Sequence, residues 1–217
     1  SLSLPTNIIP TQHMATADIH IEVGSGALSS QWVFALVVPF PTVSDGISAT
    51  DLKDFWNGLH PGLFNQRPIL LDENTYQVFS LTWGPPAVGV IEILPAEDLL
   101  REAWENQPSW AIVPFEALEP RWKVLQIDGN TPFDRAFDPL AYPLTVSISL
   151  DATPNAHTTV EELQISLPAS NLDPHLMTRV AVTGVTAMVR GTAIFMNDKG
   201  ILYPAEETGP ILRSADI

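Results

Sequence analysis

Asn74 and Thr75 are the short polar residues most suited to meeting a ligand. The pattern over residues 74–83 (NTYQVFSLTW) predicts a helix, and they stand at its start. The first N–H groups of a helix have no partner inside it, so together with two short polar side chains they can hold an anion. Asp72 and Glu73 lie alongside and repel one, and ordinary N-capping accounts for the same residue types. Ser25, within Gly24-Ser25-Gly26, is the second candidate. Such a turn presents backbone N–H groups to an oxyanion, and it serves equally as a plain strand connection. Asp128-Gly129-Asn130, with Asp134 and Asp138, gathers oxygen atoms in one loop. Pro132 falls where a calcium loop needs its third ligand, so a solvated acidic loop with an Asp-Gly turn is expected there.

Other chemistries lack their residues. The chain has no cysteine, which excludes disulfides, thiolate zinc sites and cysteine nucleophiles. His13, His20, His60, His157 and His175 show no HxH or HxxxH pairing, and zinc needs three or four converging ligands. GxSxG does not occur. Glu161-Glu162 and Glu206-Glu207 are adjacent pairs; on a strand, neighbours point to opposite faces and cannot act jointly as acid and base. No catalytic residue, metal ligand or cofactor site is therefore expected. Trp32, Trp56, Trp83, Trp104 and Trp110 fall at apolar periodic positions, where core packing accounts for them.

The elements that must carry these residues follow from periodicity. Residues 18–23 (DIHIEV) alternate as a half-buried strand, and 31–39 (QWVFALVVP) form a continuous apolar run expected at the centre of a mixed or parallel sheet. Ser48 caps a helix with Asp51 at the capping-box spacing, Leu52, Phe55 and Trp56 form its inner face, and Gly58 ends it. Short strands are predicted at 68–71 and 88–94, and an amphipathic helix at 96–106. Residues 110–113 and 123–127 read as strands with a short helical piece between them. Residues 144–150, 162–167 and 180–186 read as further strands, and 200–217 as a loop with a short helix. Strands alternating with helices up to about residue 150 argue for an α/β layered fold. Residues 151–157 (DATPNAH) are a turn-rich linker candidate.

At 217 residues and 45% hydrophobic content the chain can bury a substantial core. Its net charge of −15, with ten scattered basic residues, argues against nucleic acid as a partner. No apolar run reaches the roughly 18 residues of a membrane span. Residues 1–16 read as a polar leader without a signal-peptide pattern, so an export signal is expected to have been removed already.

Two resemblances add to this reading. The strand 32–39, then Pro41-Thr42-Val43 and 47–58 (ISATDLKDFWNG), is similar to a crossover of the phosphate-type (type II) periplasmic solute-binding proteins. Residues 72–79 stand where that family grips its ligand. Residues 110–146, with strand, Asp128-Gly129 and Tyr142-Pro143-Leu144, resemble its closing segment. The resemblance covers 18–146; the family's first lobe, which would precede residue 18, is expected to be absent or lost, and the middle lobe to be shortened. It implies a periplasmic-binding-protein-like mixed sheet with flanking helices, an extracytoplasmic location with membrane anchoring upstream, and a small anion or polymer precursor as ligand. Residues 180–217 resemble the start of a CapA domain, the poly-γ-glutamate capsule synthesis family with a metallophosphatase-like fold. The match rests on Gly184, Arg190, Gly200, Tyr203, Pro204, Leu212, Ala215 and Asp216. Val185 stands where that family has an aspartate, so no metal ligand is expected there.

The organisation expected is a leader (1–17), a solute-binding-like domain (18–150), a linker and strand (151–179) and the opening of a CapA domain (180–217), the rest lying downstream. The function expected is an extracytoplasmic ligand-binding or interaction module of a cell-envelope protein. The alternatives are a metal-dependent CapA-type hydrolase or ligase with its catalytic residues beyond Ile217, and a structural spacer.

Overall fold

The computed structural model describes residues 9, 11, 16–24, 29–59, 63–153, 168–184, 189–206 and 208–217. It divides into two compact units, Ser1–Leu172 and Asp173–Ile217.

The first unit is built on the apolar run foreseen around residue 35. Strand β2 (Ser29–Pro39) lies inside a seven-stranded sheet with the order β1-β9-β2-β6-β4-β5, and β7 also pairs with β2. The other strands are β1 (Ile19–Val23), β4 (Ile69–Leu71), β5 (Ile91–Ile93), β6 (Trp110–Pro114), β7 (Trp122–Val124) and β9 (Thr145–Ala152). Strand β4 runs parallel to β5 and β6, whereas β2 is antiparallel to β6, β7 and β9. The sheet is therefore mixed. Val33–Val38 are at most 5% exposed because both faces are covered, which is why that run is continuous rather than alternating.

Helix α1 (Ala49–Trp56) and helix α2 (Glu73–Trp83) contribute to one side of the core, where Phe34 meets Phe79 edge-on at 5.1 Å and Trp56 lies 6.4 Å from Phe79. Helix α3 (Leu99–Glu105) packs Leu99, Leu100 and Ala103 with Ala35, Val37, Ala111 and Val113. The start of α1 obeys local rules. Ser48 Oγ accepts from the Asp51 amide at 3.0 Å, and Leu52, Phe55 and Trp56 are buried as their spacing requires.

Several boundaries differ from expectation. Residues 88–90 are a turn, with Gly89 at φ +84°, and only Ile91–Ile93 pair as a strand. The helix expected from residue 96 opens with a 3-10 turn, Ala96–Asp98, before α3 begins. The strand expected over 123–127 divides in two because its partner changes. The Leu125 amide still donates to Leu36 (2.9 Å), but the Gln126 amide donates to Asp45 (2.9 Å). Gln126–Ile127 (β8) then pairs in parallel with Gly46–Ile47 (β3). Gly46 is needed there, since a Cβ would stand 2.8 Å from the Gln126 carbonyl oxygen. The strand expected at 162–167 lies outside the described residues.

Strand β2 is satisfied along both edges. On one edge β9 covers Ser29–Val33 and β7 covers Val37–Pro39; on the other, β6 covers Phe34–Val37. The remaining stretch beside Gln31 and Val33 is closed by residues 168–171. The Gln31 amide donates to Ala169 (2.8 Å) and Ser30 Oγ to Pro168 (2.7 Å). The Asn171 side chain then behaves as a strand residue: Oδ1 accepts from the Val33 amide at 2.7 Å and Nδ2 donates to the Val33 carbonyl at 2.9 Å. Nδ2 also reaches Glu116.

Phe64, Asn65 and Gln66 have φ of 52°, 52° and 60°, three consecutive left-handed residues without glycine. Such a turn costs about 1–2 kcal/mol per residue and persists only where packing overrides it. Phe64 is 7% exposed, edge-on to Phe55 at 4.7 Å and Trp110 at 5.1 Å, and this anchors the turn.

In the second unit, helix α4 (Gly191–Lys199) and helix α5 (Thr208–Ser214) are joined through a 3-10 turn at Tyr203–Ala205. The Asp216 amide donates to Arg179 (2.8 Å) and the Ala181 amide to Ile217 (3.0 Å). The strand expected to open the CapA-like region is not formed in its described part: residues 180–184 carry no sheet pairing, and Val182 is 90% exposed. Among the described residues of this unit no strand is present.

Candidate functional site

Helix α2 starts directly after the C-terminal end of β4, the position at which open α/β sheets present helix N-termini to ligands. The N-cap is Asp72. Its Oδ1 accepts from the Thr75 amide at 2.9 Å and its Oδ2 from the Thr75 hydroxyl at 2.9 Å. Thr75 is 1% exposed, so its hydroxyl and amide are both committed to the cap, whereas Asn74 is exposed. A carboxylate on these groups supplies the negative charge that the helix dipole favours. Ser25, the other sequence-derived candidate, lies outside the described residues.

Helix α1 is occupied in the same sense. Beside Ser48, Asp128 Oδ1 accepts from the Ala49 amide at 3.2 Å. Asp128 (φ 51°) and Gly129 (φ 77°) form a two-residue turn closed by mutual 2.9 Å hydrogen bonds of Ile127 and Asn130. The other carboxylates of this loop are spent locally: Asp134 Oδ1 accepts from Ala136 and Asp138 Oδ1 from Leu140, each at 2.9 Å. Among the described residues no group of three or more His, Cys, Asp or Glu is placed to hold a metal ion. Tyr142 is 2% exposed and stacks edge-on with Phe137 at 5.2 Å. Burial pushes its phenol well above the usual range, so it is a neutral core residue.

Lys123 is a contact that sequence reasoning missed. Its Nζ donates to the Thr42 carbonyl (2.9 Å) and to Asp45 (2.6 Å), clamping the loop between β2 and β3. A lone lysine at a strand start carries no sequence signal for this.

The cap can be checked directly. Asp72→Ala should cost about 1 kcal/mol in urea unfolding, because the Thr75 amide and hydroxyl lose their acceptor. Asn74→Ala, at an exposed position, should stay within about 0.5 kcal/mol of the parent.

No family model matches the chain, and no curated protein matches it in sequence. Solved structures do match it. An ABC-type phosphate transport receptor from Vibrio cholerae superposes with a TM-score of 0.55 at 14% identity, covering 70% of this chain and 75% of that one. A phosphate ABC transporter substrate-binding protein from Clostridium perfringens, solved with bound phosphate, gives 0.49 at 12% identity over 70% and 72% of the two chains. PstS from Borrelia burgdorferi gives 0.45 at 10% identity over 72% and 68%. The fold is thus a mixed α/β arrangement with flanking helices, similar to the periplasmic-binding-protein fold. No helix among the described residues is long and apolar enough to cross a membrane.

Proposed function

We propose that this chain is an extracytoplasmic recognition module of solute-binding type, working at the cell envelope beside a CapA-related region involved in poly-γ-glutamate capsule synthesis. The observation that supports the recognition role is the likeness in fold to the Vibrio cholerae receptor over 70% of the chain. The capsule association rests on residue order in 180–217 alone. Asn74, exposed on the first turn of α2, is the proposed ligand contact, with Ser25 as the other sequence-derived candidate, while Thr75 is committed to the Asp72 cap. Asp72 and Asp128 already place carboxylates on the starts of α2 and α1, and this favours a ligand with N–H or O–H donors of its own over a bare oxyanion. A polymer precursor with amide groups has such donors.

Thermal unfolding with inorganic phosphate, sulfate and γ-linked glutamate oligomers tests this. The oligomers should raise Tm with a logarithmic dependence on concentration, and sulfate, which carries no hydrogen to donate, should leave it unchanged. No stabilisation by any of the three would count against a recognition role. Stabilisation by sulfate would show that the carboxylate caps do not repel anions as argued.

A further inference from the structure

A pocket of about 220 Å³ lies at the opposite end of the parallel strands from the start of α2. Arg67 and Pro68 lead into β4 there and Ser109 into β6, while Glu92 comes from β5 and Glu102 and Asn106 from the end of α3. The pocket holds one guanidinium and two carboxylates, yet Arg67 forms no ion pair with either glutamate among the described residues. Asn106 bridges two of them: its carbonyl accepts from Arg67 Nη1, and its side-chain amide donates to Glu102. Glu92 pairs through its backbone with β4, and its carboxylate has no hydrogen-bond or ion-pair partner among the described residues. Arg67 directly follows the left-handed turn of Phe64, Asn65 and Gln66, and its own amide donates back to Phe64 at 3.0 Å. The buried packing of Phe64 holds this turn, and with it the backbone from which the Arg67 side chain extends.

We propose that this pocket binds a small zwitterion of the α-amino acid type. The ligand carboxylate meets the Arg67 guanidinium, which keeps donors beyond the one given to Asn106, and the ammonium meets Glu92 and Glu102. The volume suits a ligand smaller than the drug-sized molecules that fill pockets of about 300 Å³ and more. A zwitterion satisfies both signs at once, whereas a simple anion meets two carboxylates and a simple cation meets the guanidinium. The inference is independent of the recognition role proposed for α2, since the two places share no residue.

The test is a ¹⁵N–¹H correlation titration of the full chain with glycine and L-alanine, alongside acetate and methylammonium as half-ligands. Glycine and L-alanine should shift the Asn106 and Ser109 amides saturably, and each half-ligand should bind at least about tenfold more weakly, because one set of charge-assisted hydrogen bonds is missing. Arg67→Met and Glu92→Gln should each weaken glycine binding about tenfold or more. Glu92 is exposed and unpartnered, so Glu92→Gln tests the site without disturbing the fold. Acetate binding as tightly as glycine, unaltered binding by Glu92→Gln, or no shift with either amino acid would overturn the proposal. Oligomer binding at α2 would survive each of these substitutions, so the two readings fail separately.

Discussion

Asn171→Leu should destabilise the first unit by about 2–5 kcal/mol, with the loss centred on β2. The substitution keeps the side-chain volume and removes both polar atoms that meet Val33. Val33 is 0% exposed, so its amide and carbonyl cannot turn to water, and each unpartnered buried group costs about 1–3 kcal/mol. Hydrogen exchange reads the effect at the residue concerned. The Val33 amide should lose protection first, followed by Gln31, whose acceptor Ala169 sits on the same segment, while Leu36 and Val37 keep theirs through β6 and β7. Uniform loss of protection over the whole sheet would mean that residues 168–171 are no separate strap. A stability change below about 0.5 kcal/mol would mean that the amide contributes nothing beyond filling space.

Trp56→Ala should cost about 3–5 kcal/mol, a large share of the total for a domain of ordinary stability. Trp56 is 1% exposed, its ring meets Trp83 edge-on at 5.4 Å, and its Nε1 donates to the Gly84 carbonyl at 2.9 Å. Truncation opens a cavity between α1 and α2 and frees the carbonyl at the end of α2. Trp56→Phe should fall between the two, since it keeps most of the packing and loses the hydrogen bond. Urea unfolding with an unchanged slope separates a loss of stability from a change in the denatured state. If Trp56→Ala cost less than about 1 kcal/mol, the aromatic cluster would not be holding α1 and α2 together as described.

Much of the first unit was legible in the residues. Ser48 with Leu52, Phe55 and Trp56 predicts α1 because capping and helical periodicity act within a few residues. The run beginning at Gln31 predicts β2 because only a strand covered on both faces needs so many apolar side chains in succession. Asp128-Gly129 predicts a turn because positive φ at two successive positions favours those residue types. The candidate site was legible in part. The start of α2 was placed correctly to within one residue, but the acceptor for Thr75 is Asp72, which a sequence reading treats only as a repulsive neighbour.

What lay beyond the sequence depends on partners far along the chain. Residues 123–127 have one continuous strand pattern, and the division into β7 and β8 follows from an exchange of β2 for β3 as neighbour. Residues 180–184 are apolar enough for a strand, yet they pair with no strand among the described residues. Asn171 reads as an ordinary loop amide until Val33, 138 positions earlier, is found against it. Arg67, Glu92 and Glu102 are spread over positions 67–102 of the chain, and β4, β5 and α3 bring them to one pocket. The sequence by itself determined the Ser48 cap, the inner face of α1 and the Asp128-Gly129 turn, where the interacting groups lie within a few residues, and the central strand through its unbroken apolar run. Only the tertiary structure decided which edges are paired and which charges face one another, because those energies arise between residues that the chain order does not bring together.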